Sequence, residues 1–461
     1  MTSSTLDSSK QQQYPVAVPL VTQPWGIWRT LQAVRRNVLS IIPEIATRQP
    51  IVSGKMVRRW HMVMDPDALR QILLENLSNY PKSEVTKNLL EPAIGESLFI
   101  AEGDQWRWQR RTAAPVFSSR NVQNLAPVMS KAADRCANRI ADMAGKRAIN
   151  LHDEMITTTF DVIADVTFSG DGSFQRDRVH AAIEAYIAQA AKVSVFDILA
   201  FPNWFPRPAR LVSELSLKET KSIADKVINE RRLQKPSGVP DLLDLLLVGE
   251  DPKTSRKMNT AELRENLLTF IVAGHETTAL SLSWALYLCA FNLEVQDRAR
   301  HEVQSVLGAD RTASAADVEK LPFIRQIIDE ALRLYPPAGM ISRTALADDV
   351  LCGRKIRPGD MIILPIYALH RNHLLWRDPD AFRPDRFTDR KSVRRYAYLP
   401  FGDGPRICIG ASFALQEAII ILATLLARFR FSLVAGRNPE PIMILTLRPS
   451  GGVWLTAEPD P

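Results

Sequence analysis

Cysteine is scarce in this chain: four residues in 461, at Cys136, Cys289, Cys352 and Cys408. None stands in a C-x-x-C pair, which removes zinc knuckles and thioredoxin-type dithiol sites. So few cysteines in a chain of this size fit a reducing compartment. Long apolar runs are missing too. No window reaches 18 uninterrupted apolar residues, so no transmembrane helix is expected. The opening "MTSSTLDSSKQQQYPVAVPL" is polar and carries no secretory apolar stretch. These absences predict a soluble, cytoplasmic protein that at most touches a membrane. No internal repeat is visible. Acidic residues are slightly outnumbered, 51 against 58 Lys and Arg, giving a net charge of +7. That excess suits an acidic partner, a phospholipid surface or nucleic acid, and equally a solvated basic face.

What is present is ordinary globular composition, 46% apolar and 24% charged. The length allows about three domains or one large one with a deep pocket. Residues 1–13 read as a disordered tail and 14–461 as one domain, because the polar stretches 234–241 and 249–260 read as loops rather than linkers. Helical periodicity dominates around 66–77, 122–143, 153–168, 178–191, 211–233, 260–290, 292–307, 323–335 and 410–428. Strand-like pieces are few: 51–64, "KIRPGDMIILP" at 355–365, and "MILTLRPSGGVWLT" near the end. The expected fold class is mainly α with a small β region.

One cysteine sits in unusual company, in "FGDGPRICIG" from Phe401 to Gly410. Gly402 and Gly404 permit a sharp turn. Gly410 lets a flat group approach the backbone. Cys408 precedes a long apolar helix, whose N-terminus favours a thiolate and is expected to lower its pKa. Arg406 is placed to meet an anionic group at the edge of a flat cofactor. A thiolate so held is an electron-donating axial ligand for haem iron. The plain alternative is an inert cysteine on a turn.

The pattern F-G-x-G-x-R-x-C-x-G resembles the cytochrome P450 family, and the resemblance covers nearly the whole chain. It implies a helix-rich triangular prism around haem b, with Cys408 as the iron's thiolate ligand. Phe401 then matches the ring under the haem and Arg406 a propionate partner. "AGHETT", Ala273 to Thr278, falls inside the helical run 260–290. Gly274 alone costs such a helix about 1 kcal/mol relative to Ala, and a carboxylate beside a hydroxyl makes a proton relay. By resemblance, Glu276 and Thr277 are the acid and alcohol beside dioxygen, and Ala273 and Gly274 open space over the iron; otherwise the segment is a capping box or a polar helix face. "EALR" places Glu330 and Arg333 on one helix face. With Arg386 of "FRPDRF" they match the family's buried structural network. "WRWQRR" sets Trp106 and Arg110 four apart; they match propionate binders, as does Arg343. His275 and His370 are left outside the chemistry, His370 as a loop hydrogen-bonder.

The implied activity is that of a monooxygenase inserting one atom of O2 into a hydrophobic small molecule, by hydroxylation or epoxidation. A flavin reductase has no room after the cysteine loop, so a ferredoxin- or flavodoxin-type electron donor is expected, steered by Arg107, Arg111, Lys391, Arg394 and Arg395. A monomer that binds no nucleic acid is expected. The substrate pocket should draw on the loop around Ala93 and Ile94, the segment 185–205, Phe270, Ala273, Met340 and Ile341. Two rivals stay open: a peroxygenase or rearrangement enzyme on the same fold, and a non-enzymatic haem sensor.

Overall fold

The computed structural model describes residues 14–23, 25–55, 58–167, 208–233, 240–308 and 311–459. The expected tail 1–13 and the segment 185–205 lie outside them. A 32-residue helix, Thr260–Phe291, runs through the middle. Asn259 caps it: its side chain accepts from the Glu262 N–H while the Glu262 carboxylate accepts from the Asn259 N–H, both at 3.0 Å. From Leu263 to Ala290 its side chains are buried on nearly every side, as befits a helix at the centre of a large core. Leu151–Thr167 packs along it, and Thr159 Oγ1 donates to the His275 carbonyl at 2.7 Å. On the same helix Trp284 stacks flat on Tyr335, centroids 4.0 Å apart.

Ala411–Arg428, the helix after the cysteine loop, is the second core element. Its length and apolarity alone would suffice for a membrane span, but 72% of it is buried inside the protein. Gln416 and Glu417 interrupt its apolar run. It packs against Ser119–Met143, Leu293–Leu307, Pro322–Leu334 and the central helix.

The β structure is peripheral. A four-stranded sheet has the order Ile51–Lys55, Arg59–Val63, Met361–Leu364, Ile341–Thr344. The outer pairs are antiparallel and the middle pair parallel. A three-stranded sheet joins Ile149–Asn150, Trp454–Pro459 and Phe429–Leu433, and two hairpins complete the set, Asp349–Leu351 with Arg354–Ile356 and Glu440–Met443 with Leu447–Ser450. The helix-rich class with a small β region is what the sequence predicts. The expected strand 355–365 instead forms two pieces belonging to different sheets, because Pro358 and Gly359 turn the chain between them.

Candidate active site

The cysteine loop is shaped by backbone that only glycine adopts readily. Gly402 and Gly404 have φ of +70° and +71°. A Cβ on Gly404 would stand 2.2 Å from the Leu73 carbonyl oxygen. The Cys408 N–H donates to the Phe401 carbonyl at 2.9 Å, closing the turn. Gly410 is the N-cap of the following helix; a Cβ there would meet only the Phe117 ring, at 4.0 Å. A further strut comes from His370. Its Nδ1 bonds to the Arg333 carbonyl (3.2 Å), and its Nε2 accepts from the Leu399 N–H (2.8 Å). Burial pulls its pKa down to about 3, so it stays neutral in the one tautomer these bonds require.

Cys408 opens onto a hollow rather than onto packed atoms, although it lies deep in the protein. Burial pushes its thiol pKa up, opposed by the Gly410 N–H and the charge of Arg110. The helix terminus therefore does not by itself produce the thiolate expected from the sequence. A metal ion bound at this sulfur would deprotonate it outright.

The central helix borders such a space as well. Ala273 is exposed, and Gly274 and Thr277 are half-buried, on a helix otherwise sealed by core residues. Phe117 joins the two walls, touching the Gly410 position and packing edge-on against Phe270 at 5.1 Å. Thr277 Oγ1 donates to the Ala273 carbonyl at 2.7 Å, one turn back. Glu276 points elsewhere. It is 3% exposed and accepts from Thr446 Oγ1 (2.6 Å), Arg448 Nε (2.6 Å) and Arg448 Nη2 (2.5 Å). The adjacent acid and alcohol thus face different surroundings. Thr278 neighbours Glu417 on the cysteine helix, which burial pushes well above the ordinary carboxylate range.

A group of cations crowds the edge of the hollow. Arg406 pairs with Glu102, donates to the Ala101 carbonyl at 2.9 Å and lies over the Trp106 ring at 4.4 Å. Burial pulls its pKa down to about 10, with Arg343, Arg107 and Arg110 adding repulsion. Arg343 is 5% exposed, and its Nε and Nη1 have no hydrogen-bond partner. Lys82 is pushed well below its ordinary value by burial, then by Arg406 and Arg343. Glu102 is the carboxylate that these cations share. Buried guanidinium donors without partners, beside an accessible cysteine sulfur, fit a flat iron cofactor carrying two carboxylates. Trp106, Arg110, Arg343, Arg406 and Cys408 are brought together here. Of these cations, Arg110 is the one whose charge acts on Cys408. Lys82, Glu102 and Phe117 also belong to the site, and no motif in the sequence marks them.

Glu330 and Arg333, fully buried, form a separate network with the half-buried Arg386. Arg333 Nε and Nη2 donate to Glu330 at 2.6 and 2.8 Å, and both side chains have no exposed surface. Arg386 Nε reaches Glu330 Oε1 at 3.1 Å. The other Arg333 hydrogens go to the carbonyls of His370 (2.7 Å), Pro379 (2.6 Å) and Ala381 (3.1 Å).

Of the expected substrate-pocket residues, Phe270 and Ile94 are buried, and Met340 and Ile341 are partly buried against the core. Ala93 and Ile94 close the helix Glu84–Ile94 rather than lying in a loop, the chain turning only at Gly95 with φ of +54°.

The family model for cytochrome P450 matches residues 19–456. Cytochrome P450 132 of Mycobacterium tuberculosis is 33% identical, the alignment covering 86% of this chain and 87% of that protein. A cytokinin hydroxylase of Arabidopsis thaliana is 32% identical over 86% and 78% of the two chains. Cytochrome P450 4F12 of Homo sapiens is 32% identical over 86% and 79%. Among solved structures, the heme domain of cytochrome P450DA superposes with a TM-score of 0.79 at 27% identity, covering 89% of this chain and 90% of that one. With a cysteine loop aimed at a cation-rimmed hollow and a family match over nearly its whole length, the chain belongs to the cytochrome P450 family and is a monooxygenase with a cysteine-ligated haem.

Proposed function

We propose that the enzyme hydroxylates or epoxidises a hydrophobic small molecule, with electrons delivered by a separate ferredoxin- or flavodoxin-type protein. The observation that carries this reading is Thr277: a hydroxyl anchored to the Ala273 carbonyl, half-exposed on the hollow, next to an acid. The haem supplies oxygen activation when bound. Cys408 would ligate its iron, Arg343, Arg406 and Arg110 would hold its carboxylates, and Phe270, Ile94, Met340 and Ile341 would help exclude water from the site. Thr277 passes a proton inward. Glu276 is held by Thr446 and by Arg448, whose side chain is 41% exposed, so it would join the relay only on turning away from them. One relative is named a hydroxylase, which supports hydroxylation over rearrangement. The scarcity of cysteine supports a cytoplasmic location, and one large core cluster among the described residues, with a small satellite around Trp376, supports one domain over 14–461. The test is product formation: O2 plus electrons should give product, peroxide alone should not, and loss of the iron-bound water signal should pick out the substrate from fatty acids, terpenoids and steroids.

Thr277→Ala is expected to keep haem and substrate binding while wasting electrons. Oxygen consumption should continue with peroxide released, and product per electron should fall about 10²-fold. Full coupling in this variant would remove Thr277 from the relay.

The donor should dock on the cysteine side. Of the five exposed cations expected there, Arg111 is instead held inward. It makes a bidentate pair with the buried Asp251 at 2.6 and 2.7 Å, holding that carboxyl well below the usual range. Arg107, Arg394 and Arg395 carry only exposed pairs, with Asp104, Asp67 and Asp403, and such pairs hold a side chain weakly. Lys391 is exposed. First-electron transfer from an acidic ferredoxin should slow about ten-fold in Arg394→Glu/Arg395→Glu and fall steeply with salt in the wild type. A rate indifferent to both would exclude the patch from docking.

A further inference from the structure

On the sheet edge opposite Arg343 lies an open pocket of about 520 Å³ between two hairpins. Ser53, Lys55, Arg59 and His61 line it from one hairpin, Arg354 and Lys355 from the other. Lys55 stands directly opposite Arg59 across the strand pair, and like charges so placed repel. Arg59 also ties the hairpins together, donating to the Lys355 carbonyl at 2.7 Å. The Trp60 ring lies across Gly54, where a Cβ would be 2.3 Å from it.

The pocket's charges do not balance from within. Asp360, 4% exposed, is the carboxylate beside it, and its Oδ2 is already held from within. Its Oδ2 takes Arg59 Nη2 at 3.0 Å, His61 Nε2 at 3.3 Å and the Arg357 N–H at 2.8 Å. His61 in turn holds Ser53 Oγ at 2.7 Å through Nδ1. Burial lowers the His61 pKa against the opposing pull of Asp360, with smaller lowering from Arg59 and Arg354. Asp360 therefore offsets Arg59. Lys55, Arg354 and Lys355 have no carboxylate within ion-pair distance among the described residues, and all three are exposed. Three unpaired cations line one shallow, open pocket, and their fields add there.

We propose that this pocket binds a phosphorylated small molecule carrying at least two negative charges, of the diphosphate ester type. Lys55, Arg354 and Lys355 would hold its phosphates. The volume exceeds what a single phosphate fills, leaving room for the organic part. A phospholipid headgroup presents the same chemistry from a membrane surface, and vesicle binding distinguishes the two sources.

The test uses haem-loaded protein and inorganic pyrophosphate, followed by calorimetry at low ionic strength. Wild type should bind it, and sodium chloride at matched ionic strength should not mimic the heat. Arg354→Glu/Lys355→Glu should weaken binding at least ten-fold, and the milder Arg354→Gln/Lys355→Gln by less. Lys146→Glu/Arg147→Glu changes the net charge equally on another exposed face and should leave binding intact. The ferrous carbon monoxide spectrum of every variant should be unchanged. Absence of pyrophosphate binding, or equal weakening by the Lys146/Arg147 pair, would overturn the proposal. So would binding confined to phosphatidylglycerol vesicles, which would place the phosphate on a lipid surface.

Discussion

Cys408→Ser is expected to abolish the red-shifted absorption of the ferrous carbon monoxide complex and to end turnover. A serine hydroxyl is a far poorer anion than a thiol, and the electron donation that favours O–O cleavage belongs to sulfur. The surroundings sharpen the expectation. Burial already raises the pKa of Cys408 above its ordinary 9.0, with only the Gly410 N–H and Arg110 pulling the other way. An alkoxide in the same place would be harder still to form. The same shift gives a pH dependence. The free thiol is protonated at neutral pH, so haem ligation must release a proton. The apparent affinity for haem should therefore weaken about ten-fold for each unit the pH falls below that raised pKa. Spectral titration of the cofactor-free wild type between pH 6 and 9 measures this slope. A serine variant that kept both the absorption and the turnover would show that another side chain ligates the iron.

The parts legible in the sequence are those whose chemistry is local. The cysteine loop announces itself because two left-handed glycines, a cysteine and a helix start fall within ten residues. The central helix announces itself by the long apolar run 260–290, broken only by the polar Ala273–Thr278 motif. The parts that were not legible depend on partners far along the chain. Glu276 is anchored by Arg448, 172 residues later, so its separation from Thr277 could not be read from their adjacency. Arg111 looked free because Asp251 lies 140 residues away. Lys82 reaches the cation group through an isolated bridge to Arg343, itself on a four-residue strand with a charge in the middle, too short to show alternation. The acidity of Cys408 was misjudged for the same reason. A helix terminus is visible in sequence, whereas the depth at which it is buried is a property of the whole fold.

Glu330→Gln is expected to yield protein with little or no haem. The substitution keeps the size of the side chain and removes its charge, so Arg333 is left as a cation with no exposed surface and no carboxylate. Breaking a buried pair in this way costs about 3–5 kcal/mol. The damage should travel to the cofactor site along a continuous set of bonds. Arg333 grips the His370 carbonyl and offers its own carbonyl to His370 Nδ1. His370 Nε2 holds the Leu399 N–H, the Leu399 carbonyl accepts from the Gly402 N–H, and the Phe401 carbonyl accepts from Cys408. Loosening Arg333 thus loosens the strut beneath the cysteine loop. His370→Phe should reproduce part of the effect, since it preserves the ring but leaves the Leu399 N–H unpaired inside the protein. Glu84→Gln provides the contrast: its pair with Lys87 is exposed, and its loss should change stability by less than about 1 kcal/mol. The measurements are haem absorbance per protein and the thermal unfolding midpoint. A Glu330→Gln protein with full haem content and an unchanged midpoint would mean that the loop is held in place without this network.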